Sequence, residues 1–194
     1  MCIRDSLVYN PSFEIKPYKV AAQTTTARYW DGTAGGSVTR TPYDWYVANR
    51  SGSATFTAEY DESKKAFKVA VSAQTDCQVV LRKTNNSGSG WGSTAVGHVP
   101  LKPNTTYRFE CKYETDSVVT VGGQYNAFVE LDELGATKNY IATNRFITVS
   151  GTNAKTHFSG EFTTNASTQS CDVFFGIDGT TGTIWVTDIF IVEV

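Results

Sequence analysis

Between residues 105 and 114, Tyr107, Phe109, Cys111 and Tyr113 alternate with Arg108, Glu110, Lys112 and Glu114. Successive side chains of an extended chain point to opposite sides, so this alternation puts four largely apolar groups on one face and four charges on the other. A helix would scatter both sets around its axis. The segment is therefore a half-buried strand, and its apolar face needs a second layer to cover it. Comparable runs recur at 66–73, 78–83, 125–131, 140–149, 156–163, 171–177 and 183–194. Polar clusters such as NNSGSG at 85–90 and DGTTG at 178–182 separate them. Pro103 and Asn104 in LKPNTTY supply a turn that leads into the first of these strands.

Many short strands with no helical pattern between them predict an all-β fold, a sandwich or a barrel, and argue against a parallel βαβ arrangement. Composition agrees, with 13% aromatic and only 19% charged residues in a chain that is 40% hydrophobic. β-Branched and aromatic side chains fit a pleated surface, and Gly and Asn serve the turns. The 194 residues suffice for one domain able to remove roughly 70% of its unfolded surface from water. A net charge of −2 gives no basic surface of the size that binds phosphate backbones, so no nucleic acid partner is expected. No run approaches the roughly 18 apolar residues of a membrane span, so no membrane insertion is expected. Residues 1–6, MCIRDS, resemble a non-native leader seen on conceptual translations from environmental sequencing, which leaves 7–194 as the single domain.

With Cys2 in that leader, Cys77, Cys111 and Cys171 remain, an odd number that leaves at least one thiol free. Each lies inside an apolar alternating run, where cysteine acts as a small buried hydrophobe. Three buried free thiols is the reading preferred over one disulfide plus a free thiol. No CxxC or Cys/His spacing for zinc is present.

Catalytic motifs are missing as well. The only histidines, His98 and His157, have no nucleophile or metal partner at motif spacing, and HExxH, GxSxG, P-loop and GxGxxG patterns do not occur. Glu130, Asp132 and Glu133 cluster in FVELDELG and could in principle form a glycosidase pair. They read instead as surface acids around a turn, and no enzymatic activity is expected.

Three stretches carry a family resemblance: LVYNPSFE at 7–14, LKPNTTYRFECKYE at 101–114 and GTIWVTDIFIVEV at 182–194. In this order and at these separations they resemble the carbohydrate-binding modules of families four, nine, sixteen and twenty-two, over nearly the whole chain. The resemblance implies a two-sheet antiparallel β-sandwich of the jelly-roll kind and the non-catalytic recognition of a polysaccharide or cell-surface glycan, on a module attached to a larger multidomain protein. Similar modules occur in phage and cell-surface structural proteins. A structural or decoration subunit of a virion or extracellular filament, capable of self-assembly, is thus the alternative. Either way the expected location is secreted, cell surface or virion.

In the resembled family a structural calcium ion ties the N-terminal strand to the end of the sandwich. Carried over, its ligands are the Glu14 carboxylate with the Ser12 carbonyl, Glu62, the Lys65 carbonyl and Asp188. Calcium takes about 6 to 8 hard oxygens and mixes carboxylates with carbonyls. The family usually places its acid where this chain has Thr187, and a shift of one residue on a strand turns a side chain to the opposite face. For the glycan, the resemblance points to aromatics on a concave sheet face or its loops, because a flat ring stacks on the apolar side of a sugar while neighbouring polar groups bond its hydroxyls. Trp91 leads, placed between NNSGSG and LKPNTTY at a spacing similar to that of a sugar-stacking Trp of family four. Tyr125, flanked by Gln124 and Asn126, comes next, followed by Tyr140, Trp30 and Trp45. The last two sit in the irregular stretch 15–53, which reads as long loops with short strands, where binding residues often lie. Trp185, in the closing run, reads as a packing aromatic.

Overall fold

The computed structural model describes residues 20–25, 46–49, 53–75, 78–82, 98–122 and 125–194. They form twelve strands: β1 (Val20–Thr25), β2 (Tyr46–Asn49), β3 (Ser53–Asp61), β4 (Ala66–Thr75), β5 (Gln78–Arg82), β6 (Val99–Pro100), β7 (Thr106–Val118), β8 (Asn126–Leu134), β9 (Tyr140–Val149), β10 (Gly151–Thr163), β11 (Ser170–Asp178) and β12 (Gly182–Glu193). No helix occurs among the described residues. The first sheet runs β1-β3-β4-β12-β7-β10 and the second β2-β5-β11-β8-β9, with β6 paired to β11. The pairings are antiparallel. This is a two-sheet antiparallel jelly roll.

The alternation in β7 has the consequence expected of it. Tyr107, Phe109 and Cys111 are buried in the core and Tyr113 packs against it, while Lys112 on the other face is exposed. Phe162 of β10 joins them, and Phe158 is half-buried against the same cluster. The two sheets meet through aromatic rings. Phe109 of the first sheet stacks on Phe146 of the second, 4.2 Å between centroids, and Phe158 and Phe162 close around Phe146 at 5.8 and 5.7 Å. Fully burying one such side chain is worth about 1.5 to 3 kcal/mol, and each ring pair adds about 0.5 to 1.5 kcal/mol.

Local chemistry fixes the entry to β7. Asn104 adopts a left-handed φ of 49° in the turn after Pro103, and the Lys102 amide donates to the Tyr107 hydroxyl at 2.9 Å. A tyrosine sunk into the core thus keeps its polar end satisfied while tying the turn to the strand. Gly182 starts β12 with φ of +136°, and a Cβ there would lie 2.6 Å from the Val118 backbone, so no larger residue fits.

Cys111 and Cys171 are free and buried, as the sequence implies; Cys77 lies outside the described residues. Burial pushes both thiols up, and at Cys171 the Asp172, Glu133 and Asp132 carboxylates push further in the same direction. Neither carries thiolate at neutral pH, so both are inert hydrophobes rather than nucleophiles.

Candidate functional site

The second sheet carries the chemistry. Ala127, Val129 and Leu131 of β8 and Cys171, Val173, Phe175 and Ile177 of β11 enter the core. By the period of two, Phe128, Glu130 and Asp132 of β8 and Asp172, Phe174 and Gly176 of β11 share the opposite face. Register sets them in rows: Asp172 opposite Asp132, Phe174 opposite Glu130, Gly176 opposite Phe128. β9 extends two rows, with Thr143 opposite Asp132 and Arg145 opposite Glu130.

Polar groups on this face are tied to one another. Arg145 donates through Nη2 to Glu130 in an ion pair, Thr143 donates to Asp132, and the Tyr140 hydroxyl lies 3.2 Å from the Thr143 hydroxyl. The Arg145 guanidinium lies 3.2 Å from the Tyr125 ring centroid and 5.1 Å from that of Phe128, so it sits within cation–π distance of both rings. Its Nη1 is buried with no hydrogen-bond partner among the described residues. The centre of the face is closed to solvent, with Phe128, Phe174, Glu130, Asp132 and Asp172 all buried. Its β9 margin is open, Tyr125 being 48% and Tyr140 49% exposed.

One sequence expectation needs correction. Glu130, Asp132 and Glu133 are not surface acids around a turn; all three are buried within β8. Glu133 has the opposite facing to its neighbours in that run and closes the end of the sandwich. Its Oε2 accepts from the Asn165 amide at 2.8 Å, the Asn165 side chain at 3.2 Å and the Thr168 hydroxyl, and its Oε1 from Asn144 at 2.8 Å. Burial by itself would raise this carboxyl, but those hydrogen bonds outweigh it and hold the group below its ordinary value.

Of the glycan candidates, Tyr125 and Tyr140 lie on the exposed margin just described. Asn126 begins β8 with φ of 54°, and its side-chain oxygen accepts the Val121 amide at 3.1 Å. Trp91, Gln124, Trp30 and Trp45 lie outside the described residues, as do Ser12 and Glu14 of the calcium set. Trp185 is a packing aromatic, buried on the outer side of the first sheet. Its Nε1 donates to Asp61 at 2.9 Å and the Lys64 ammonium lies 4.5 Å from its centroid.

In the described part of the calcium set, two residues lie in the turn between β3 and β4 and the third, Asp188, lies on β12. Glu62 and Lys65 are exposed in that turn, and Lys65 has φ of 49°. Val186 and Ile189 both enter the core across a register shift of β12 against β7, and Asp188 within that shift has φ of 54° and its Oδ2 2.8 Å from the Lys112 ammonium. That shift is a β-bulge. No group of three or more His, Cys, Asp or Glu side chains placed to hold a metal occurs among the described residues.

Sequence reasoning missed Arg145 and Asp172. The available signal was the pair of acids two residues apart, Glu130 and Asp132 in FVELDEL, which share one strand face and mark a polar row needing a cation opposite.

No protein-family model matches this sequence, and no curated protein sequence does. Solved structures match by fold. A chain described as "CBM4 structure and function" superposes with a TM-score of 0.52 at 12% identity, covering 96% of this chain and 99% of its own. The apo module BiXyn10A CBM1 gives 0.50 at 10% identity, covering 98% and 100%. The enzymatically active domain of tailspike protein 4 from bacteriophage CBA120 gives 0.53 at 9% identity over 78% of this chain, which spans only 19% of that one.

Proposed function

We propose that this chain, which has the jelly-roll fold of the carbohydrate-binding modules, binds a polysaccharide or cell-surface glycan without turning it over, as a module of a larger extracellular protein. The observation that carries this reading is the margin of the second sheet, where an exposed tyrosine is already held by a guanidinium beside a row of carboxylates and hydroxyls. A ring fixed before the ligand arrives loses little entropy on stacking, and the exposed Tyr140 and Thr143 hydroxyls at the margin offer donors and acceptors for sugar hydroxyls. Tyr125 and Tyr140 supply the described platform, and Trp91 with Gln124, Asn126, Trp30 and Trp45 completes the proposed set. Affinity electrophoresis through gels cast with soluble polysaccharides tests the reading: at least one polysaccharide should retard the protein, and migration unchanged by all of them would pass the weight to the virion or filament subunit.

The carboxylates of this face accept hydrogen bonds rather than perform catalysis. No release of reducing sugar from β-glycans and no ester cleavage is expected at any pH from 4 to 9. Turnover that vanished in Asp132→Asn or Asp172→Asn would overturn that assignment, because opposed carboxylates are what glycoside hydrolysis needs.

We also propose calcium at the β3–β4 turn. The described donors, Glu62, the Lys65 carbonyl and Asp188, are hard oxygens of the right kind and number about half of what calcium takes, with Ser12 and Glu14 to supply more. Lys112 beside Asp188 is the competing cation. An ion bound only by the native state adds about 2.7 kcal/mol at a hundredfold excess over its Kd. Chelation should therefore lower the melting temperature by roughly 5 to 10 °C, at about 2 to 4 °C per kcal/mol for a domain of this size, and restored calcium should reverse it. A melt indifferent to chelator removes the ion from the account.

A further inference from the structure

β10 ends the first sheet, and among the described residues only β7 pairs with it. It is thirteen residues long, and most of its positions are exposed. An edge of that length presents a ladder of unpaired amides and carbonyls, which proteins usually guard with bulges and charges. Here the register shifts are confined to the stretch from Gly151 to Thr156, while pairing with β7 is regular from Thr156 to Thr163.

The sequence of this edge is self-complementary. An antiparallel strand meets a second copy of itself around a two-fold axis, so residues equally far from the axis face each other on the same side of the joined sheet. With the axis at Phe158, Lys155 faces Glu161 twice, His157 faces Ser159, Thr156 faces Gly160, and Phe158 faces itself. Lys155, His157, Ser159 and Glu161 are exposed, on the solvent side. Phe158 is half-buried against Phe109 and Phe146, and its ring leans over Gly160, where a Cβ would come within 2.9 Å of it. The inner side of the seam is thus centred on the facing Phe158 rings, flanked by Thr156 and Gly160, and the outer side carries two Lys155–Glu161 ion pairs. An axis at Gly160 would bring no opposite charges together, and one at Ser159 would pair only the ionisable His157 with Glu161.

We infer that β10 is a homodimerisation edge, joining two copies into one continuous antiparallel sheet centred on Phe158. The contact is a single strand pair, below the roughly 1,200 to 2,000 Å² of a stable interface, so the dimer is concentration-dependent. It needs no glycan and stands whether or not the glycan reading holds.

Sedimentation velocity on the full chain without ligand tests it. The wild type should shift from monomer to dimer as concentration rises. Lys155→Glu should raise the dissociation constant at least tenfold by setting like charges face to face, Glu161→Lys should do the same, and Lys155→Glu with Glu161→Lys should recover the wild-type value. Both positions are exposed, and thermal melts of each variant confirm folding. A wild type that stays monomeric at the highest soluble concentration overturns the inference, as does a dimer that ignores the single changes or is not rescued by the double one.

Discussion

Replacing Glu133 with alanine is expected to destabilise the protein by about 3 to 5 kcal/mol, the range for breaking a buried charged network by removing one partner. The carboxylate is 1% exposed and serves Asn144 and the 165–168 turn together. Its loss leaves the Asn165 amide, the Thr168 hydroxyl and the Asn144 side chain competing for no replacement acceptor, each a cost of about 1 to 3 kcal/mol where water cannot enter. At about 2 to 4 °C per kcal/mol the melting temperature should fall by roughly 6 to 20 °C. Glu133→Gln keeps the shape and one acceptor, and should cost less.

The same residue gives the fold an acid dependence whose sign follows from its hydrogen bonds. Its folded carboxyl lies below its ordinary value, and the unfolded group titrates near 4.3, so its contribution is fully present above that pH and is lost as pH falls through the folded value. The stability gap between the wild type and Glu133→Gln should therefore narrow between pH 5 and pH 3. Thermal melts of the two proteins across that range check it; a gap that widened in acid would mean another group controls the acid limb.

Most of the sandwich was legible because strong alternation survives any tertiary context. The runs at 66–73, 140–149 and 171–177 became β4, β9 and β11 with ends moved by two residues at most. β3 is different: its core face is Ala54, Phe56 and Ala58, and two alanines give too little contrast for the period of two to stand out. The bulge at Asp188 has no local signature either, since Val186 and Ile189, three residues apart, both enter the core only because β12 changes register against β7. Glu133 was misread for a related reason. Adjacent acids near a predicted turn look solvent-facing, and only the return of residues 165–168 beneath β8 shows that one of them is an anchor.

The second large effect falls on binding rather than folding. Tyr125→Ala removes a ring that is nearly half exposed and loses one cation–π contact, worth about 0.5 to 1 kcal/mol, so the melting temperature should drop by no more than about 4 °C. Binding should weaken at least tenfold, or about 1.4 kcal/mol, because the ring and the guanidinium behind it are the proposed stacking surface. Trp91→Ala should abolish binding at comparable stability, whereas truncating a buried Trp costs about 3 to 5 kcal/mol. A variant that loses both binding and its fold would place that ring in the core.

Titrating the polysaccharide that retards the wild type against wild type, Tyr125→Ala and Trp91→Ala, with melts of all three, tests the central claim most directly. The account predicts saturable binding by the wild type and its loss in both variants, with melting temperatures close to the wild type. Equal affinity in all three proteins would contradict it, by removing the glycan from the tyrosine margin of the second sheet.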